Sequence, residues 1–119
     1  MSNKKIHKNV KALEQERQQL ITFVLSECEL VEGSYRESLM RCGRPSCHCE
    51  EKPGHLVARI SVWEEGKLKN KVVRIDDREW VKDLAQNYQA HKQAIANLKK
   101  LNEKETKILR TFIKLKSRR

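Results

Sequence analysis

The sequence predicts an α+β fold in which a small β-ribbon or hairpin is flanked by an N-terminal helix and a long, coiled-coil-like C-terminal helix. Three observations carry this. Apolar residues recur at steps of three and four near both ends of the chain, but alternate singly between Leu56 and Ile75. Both prolines and two of the four glycines fall in one stretch between those regimes, Arg41 to His55. Hydrophobic residues make up only 38% of the 119 residues and charged ones 35%, so a core would be thin and a staple or self-association is expected. The chain divides into an amphipathic helix (1–32), a central β region (33–75) and a basic helix (76–119), read as one domain with helical extensions.

The elements follow in order. From Asn3 to about Leu30, Ile6, Val10, Leu13, Arg17, Leu20 and Val24 share one helical face, and Gly33 reads as the C-terminal stop. Cys28 reads as a half-buried thiol at that helix end. Ser34 to Arg41 is strand-like, with Tyr35 and Met40 able to pack and Arg36 and Arg41 exposed. Leu56 to Trp63 alternates, with Ala58, Ile60 and Val62 on one face and Val57, Arg59, Ser61 and Trp63 on the other. Glu64-Glu65-Gly66 makes a turn and Leu68 to Ile75 returns, with Lys67, Lys69 and Lys71 on one face and Arg74 nearby. A two-stranded ribbon alone is marginal and must lean on its surroundings.

Asp76 and Glu79 have the spacing of a capping box. The helix after them runs to roughly Lys116 along a seam of Val81, Leu84, Tyr88, His91, Ile95, Leu98, Asn102, Glu105, Leu109 and Phe112. The polar seam residues either fix register or mark a break between Lys100 and Glu105, with Asn102 capping a second helix. The seam should pack on the first helix, in the same chain or in a second copy.

The stretch R-C-G-R-P-S-C-H-C-E-E-K-P-G-H places Cys42, Cys47, Cys49 and His55 within fourteen residues. Thiolates with an imidazole are the ligand set of a closed tetrahedral Zn²⁺ site. Gly43, Pro45, Pro53 and Gly54 supply the tight turning that C-x4-C-x-C-x5-H requires. Four protein ligands leave no open position, which makes the expected zinc structural. His48 and Cys28 are the alternatives to His55 as fourth ligand, and a site of three cysteines alone would be open.

The run from Gly33-Ser34-Tyr35 through R-C-G-R-P-S-C-H-C to Gly54-His55, followed by a strand pair and a helix with Asn87-Tyr88, resembles a small uncharacterised prokaryotic domain family. Its members share a G-S, R-C-G-K/R-x-x-C-x-C, G-x-H core followed by a long helix, and are often encoded beside transposase and other mobile-element genes. The resemblance spans roughly Gly33 to Phe112. It implies Cys42, Cys47, Cys49 and His55 as the metal set, leaves Cys28 outside, and brings no activity. Here Gly54 and His55 are adjacent, where the family has one residue between them, and Leu56-Val57-Ala58 stands in place of a Gly-Pro-Tyr-like continuation.

The net charge of +10 points to a polyanionic partner, nucleic acid first and DNA ahead of RNA. The candidate surface combines Arg36, Arg41, Arg44, Arg59, Lys67, Lys69, Lys71 and Arg74, with Trp63 able to stack on a base. A second basic stripe runs from Lys99 to Arg119. No Gly-rich phosphate loop, nucleophile elbow or metal-binding carboxylate cluster is present, so no enzyme and no catalytic residues are expected. No apolar signal segment or membrane span is read, and the expected location is the cytoplasm. The competing expectation is a protein-interaction module whose helices form a homodimer or dock onto a transposase or other partner.

Overall fold

The computed structural model describes residues 3–40 and 54–118. Its elements are α1 (Asn3–Val24), β1 (Ser34–Met40), β2 (His55–Glu64), β3 (Lys67–Val73), a 3-10 turn (Ile75–Asp77) and α2 (Arg78–Lys116). The fold is α+β: a helix, a three-stranded antiparallel sheet of order β1-β2-β3, and a long helix. The predicted ribbon is thus a sheet, because the Ser34 strand pairs along the whole of β2 from Ser34 opposite Ser61 to Met40 opposite His55. The chain divides into two compact units, a sheet unit (28–89) and a helical unit (1–27 with 90–119).

In the sheet unit, β2 and β3 join through Glu65 and Gly66, whose φ values of 51° and 77° are those of a type I′ hairpin turn. Ala58, Val73 and Val81 form the buried cluster, with Tyr35 and Ile60 packed against it, so one sheet face lies on the first turns of α2. Residues Glu29 to Gly33 are tied to the same helix. Asn87 Nδ2 donates to the Glu29 carbonyl (3.1 Å), Gln89 Nε2 donates to the Gly33 carbonyl (3.1 Å), and the Val31 amide donates to the Leu84 carbonyl (3.0 Å).

Those contacts explain why α1 ends at Val24 and not near Leu30. The Ser26 amide and hydroxyl both turn back onto the Phe23 carbonyl, and the following backbone finds its partners on α2. Gly33 is therefore not a helix stop. It enters β1 with φ +137°, and a Cβ there would stand 2.8 Å from the Ser61 carbonyl oxygen and 2.9 Å from Ile60 Cγ1. Gly33→Ala is expected to destabilise the sheet unit by roughly 1–3 kcal/mol, through a φ that L-residues avoid and a clash with backbone. Urea unfolding of the full chain checks this, and a wild-type midpoint would contradict it.

Before α2, the Asp76–Glu79 box gives way to a different arrangement. The carboxylate of Asp77 accepts the Trp80 indole N–H (2.9 Å), next to the 3-10 turn.

In the helical unit, α1 and the C-terminal part of α2 pack antiparallel within the same chain. His7 stacks edge-on against Phe112 (5.8 Å), Arg17 meets Asn102 and Glu105, and Phe23 lies on His91 (4.6 Å). The predicted face of α1 holds, with Ile6 buried and Val10, Leu13, Arg17, Leu20 and Val24 half-buried. On α2 the observed inner stripe is His91, Ala94, Leu98, Leu101, Glu105, Ile108 and Phe112. Ile95, Asn102 and Leu109, expected in the seam, are exposed. The intervening positions fall three residues after His91, Leu98 and Glu105, and not four. This choice buries Leu101 in place of Asn102, whose amide would lose its hydration in an apolar seam. The helix is continuous through Asn102, so the alternative break is absent.

Candidate nucleic-acid interface and metal stretch

Register assigns each strand residue to a sheet face, since directly opposed residues in an antiparallel pair project to the same side. Ala58 pairs with both Glu37 and Val73, Ile60 with Tyr35 and Lys71, Val62 with Lys69, and Glu64 with Lys67. These residues share the face that packs on α2. Arg59 pairs with Arg36 and Val72, Ser61 with Ser34 and Asn70, Val57 with Ser38, Trp63 with Leu68, and His55 with Met40. They form the opposite, open face.

The candidate cations are therefore divided. Lys67, Lys69 and Lys71 lie on the packed face, towards the hairpin tip, together with both carboxylates of the strands, Glu37 and Glu64. There Lys69 Nζ sits 3.0 Å from Glu64, and Tyr35 donates its hydroxyl to Glu37 (2.6 Å). Burial, followed by that hydrogen bond, holds the Tyr35 phenol above its ordinary value. Arg36, Arg59 and Trp63 lie on the open face, and Arg74 follows β3 in extended backbone, so alternation carries it to the same side.

The open face has no carboxylate on any strand. Arg36 and Arg59 stand directly opposite each other, a like-charge juxtaposition that costs stability in a sheet. Among the described residues neither guanidinium has a hydrogen-bond or ion-pair partner. Trp63 is 69% exposed, Val72 67% and Leu68 49%. Trp63 therefore does not cover the hairpin core. Leu68, Asn70 and Val72 belong to this face although sequence reading gave them no role.

Of the metal stretch, His55 is described. It opens β2, half-buried, opposite Met40, so the two ends of the intervening stretch are held side by side. Cys42, Cys47, Cys49 and His48, and with them Arg41 and Arg44, lie outside the described residues. Cys28 is exposed in the segment after α1 and not half-buried at a helix end.

In the helical unit, Lys99, Lys100, Lys104, Lys107, Arg110, Lys114 and Lys116 line exposed positions of α2. Glu105 turns inward to Arg17, which leaves Glu103 as the one exposed acid among the described residues from Lys99 to Arg118. A groove of about 430 Å³ lies between Asn9, Ala12, Leu13 and Glu16 of α1 and Lys104, Lys107 and Ile108 of α2. Among the described residues no helix is long and apolar enough to cross a membrane.

Neither the curated proteins nor the solved structures contain a match to the chain. A family model, described as a domain of unknown function, DUF6788, matches residues 4–83. The match takes in α1, the sheet and the start of α2, and so begins well before the Gly33 start of the resemblance read from the cysteine core. With two-thirds of its length under that match, the chain belongs to the DUF6788 family.

Proposed function

We propose that the protein is a zinc-stabilised, non-enzymatic nucleic-acid-binding protein of the cytoplasm, an accessory or regulatory factor linked to a mobile element. The observation that carries nucleic-acid binding is the open sheet face, where Arg36, Arg59 and Arg74 project with no strand carboxylate among them. Guanidiniums held face to face, with no partner among the described residues, gain most from an anion, and phosphate matches their planar donor fork. The net charge of +10 adds a long-range attraction for a polyanion, DNA ahead of RNA. Zinc rests on the thiolate and imidazole set Cys42, Cys47, Cys49 and His55.

Binding of labelled duplex DNA, single-stranded DNA and RNA across a salt series tests this. Affinity should fall steeply with salt, and Arg36→Ala/Arg59→Ala should lower the logarithmic salt slope by about 2, one for each cation removed. Lys67→Ala/Lys69→Ala/Lys71→Ala should change it less, since Lys69 already has Glu64 as partner. Weak, salt-insensitive binding to all three would end the nucleic-acid reading.

Such an outcome would favour the second reading, an interaction module that docks a partner protein or a second copy through its helices. Exposed Ile95, Leu109 and Ile113 along α2 support it. The α1–α2 seam is already filled within the chain, so docking would use this outer surface.

A further inference from the structure

We infer that the open sheet face takes single-stranded nucleic acid, with phosphates on the Arg36–Arg59 pair and a base stacked on Trp63. This deepens the nucleic-acid reading above and rests on it. The argument is the uneven distribution of chemistry across the three strands. On the open face, β1 and the middle of β2 present Arg36 and Arg59, flanked by Ser34, Ser38 and Ser61. The third strand presents no charge there, only Leu68, Asn70 and Val72.

A duplex places phosphates on both flanks of whatever enters its groove, so a duplex-binding sheet needs cations on both sides. This face has the paired arginines of β1 and β2 on one flank and, along β3 itself, exposed apolar surface on the other, with Arg74 only beyond the strand's end, away from Trp63. A single strand has the same asymmetry: a phosphate edge and, when unstacked, bases with free π-faces. Its backbone would follow the arginines and its bases would turn towards β3.

Trp63 fits this arrangement by its position. It lies four residues along β2 from Arg59, about 13 Å at strand rise, on the same face. Leu68 opposes it across the hairpin, so the indole stands beside an apolar side chain with most of its surface open. A stacked base inside a duplex offers no π-face to such a ring, whereas an unpaired base does. Asn70 and Ser61 are hydrogen-bonded to one another between the two sites, which holds the intervening surface polar and flat.

The experiment uses the full chain in a Trp80→Phe background, so that emission reports Trp63 alone. Probes are a mixed-sequence DNA oligonucleotide of about 12 residues, single-stranded and annealed to its complement. The single strand should bind at least about tenfold tighter and quench Trp63 emission. Trp63→Ala should weaken single-strand binding roughly 10- to 100-fold with the salt slope unchanged, because stacking releases no counterions. Trp63→Phe should retain most of the affinity, which separates stacking from a loss of fold.

Duplex bound as tightly as single strand, with Trp63 emission unchanged, would overturn the inference and leave nucleic-acid binding standing. Absence of salt-dependent binding to either probe would overturn both. Equal loss in Trp63→Phe and Trp63→Ala would also count against stacking.

Discussion

Cys47→Ser and Cys49→Ser chains should lose the sheet unit as a folded body. Among the described residues the buried apolar cluster of that unit is small, Ala58, Val73 and Val81 with Tyr35 and Ile60 at its margin. Apparent binding energies of structural zinc are on the order of 10 kcal/mol and, where the site forms only on folding, count directly as folding energy. That is large beside what three buried apolar side chains supply. The expected result is about one zinc per chain in wild-type protein and none in the variants. Sheet-unit amide resonances should collapse in the variants and in wild type treated with chelator. Cys28→Ser should leave metal content and stability unchanged, since that thiol is exposed and apart from the cluster in sequence. Metal-free protein with an unaltered melting profile would remove zinc from the account.

Arg17→Met should be the most damaging single change in the helical unit. Arg17 binds Glu105 and Asn102 through Nη2 and Glu14 through Nη1 (3.0 Å), and Glu105 is among the buried residues of α2. Removing the guanidinium leaves two carboxylates facing each other at the centre of the helix pair. Breaking one side of a fully buried pair costs about 3–5 kcal/mol and an exposed one under about 1 kcal/mol. This half-buried pair should therefore cost roughly 2 kcal/mol at neutral pH. The pH dependence follows from Glu105. Its hydrogen bond with Glu14, and then burial, hold its carboxyl above the ordinary 4.5, against the pull of Arg17. A group raised on folding contributes its stability at low pH, below the ordinary value, and loses it as pH rises through the raised one. Without Arg17 the rise is larger, so the deficit of Arg17→Met should be greatest at pH 7 and shrink towards pH 4, where Glu105 takes up a proton. Arg17→Met/Glu105→Leu should recover much of the loss at pH 7. Urea unfolding of the full chain at both pH values measures this. An Arg17→Met midpoint equal to wild type at pH 7 would show that the pair carries no stability.

The helices and strands were legible because their periodicities are strong, and the face of α1 was read residue by residue. What the periodicity of α2 left undecided was its phase. His91, Leu98, Glu105 and Phe112 suit two seams, and only the partner helix chooses between Asn102 and Leu101. The end of α1 was hidden for a similar reason, since the backbone of Glu29 to Gly33 is satisfied by Leu84, Asn87 and Gln89, more than fifty residues away. The division of the cations between two faces was partly written in the sequence. A two-residue turn at Glu65-Gly66 fixes Glu64 opposite Lys67, and counting back from there sets the lysines beside Val62 and Ile60. The place of Arg36 was not, because the pairing of β1 with β2 depends on a connection too long for turn chemistry to set its register.

The pairing of α1 with the last part of α2 has a consequence for biosynthesis. Arg17 and Glu105 are 88 residues apart in sequence, so α1 leaves the ribosome long before its partner exists. At 5–20 residues per second the wait is on the order of ten seconds. Through that interval the apolar stripe from Ile6 to Val24 waits without its partner helix, which makes nascent α1 a natural substrate for chaperones. Once the sheet unit has folded, with Gln89 bonded to Gly33, the gap to be closed shortens from 88 residues to the short spans on either side of that contact, and the entropy of closure falls with it. Of the two paired helices, the one made earlier waits for the one made later.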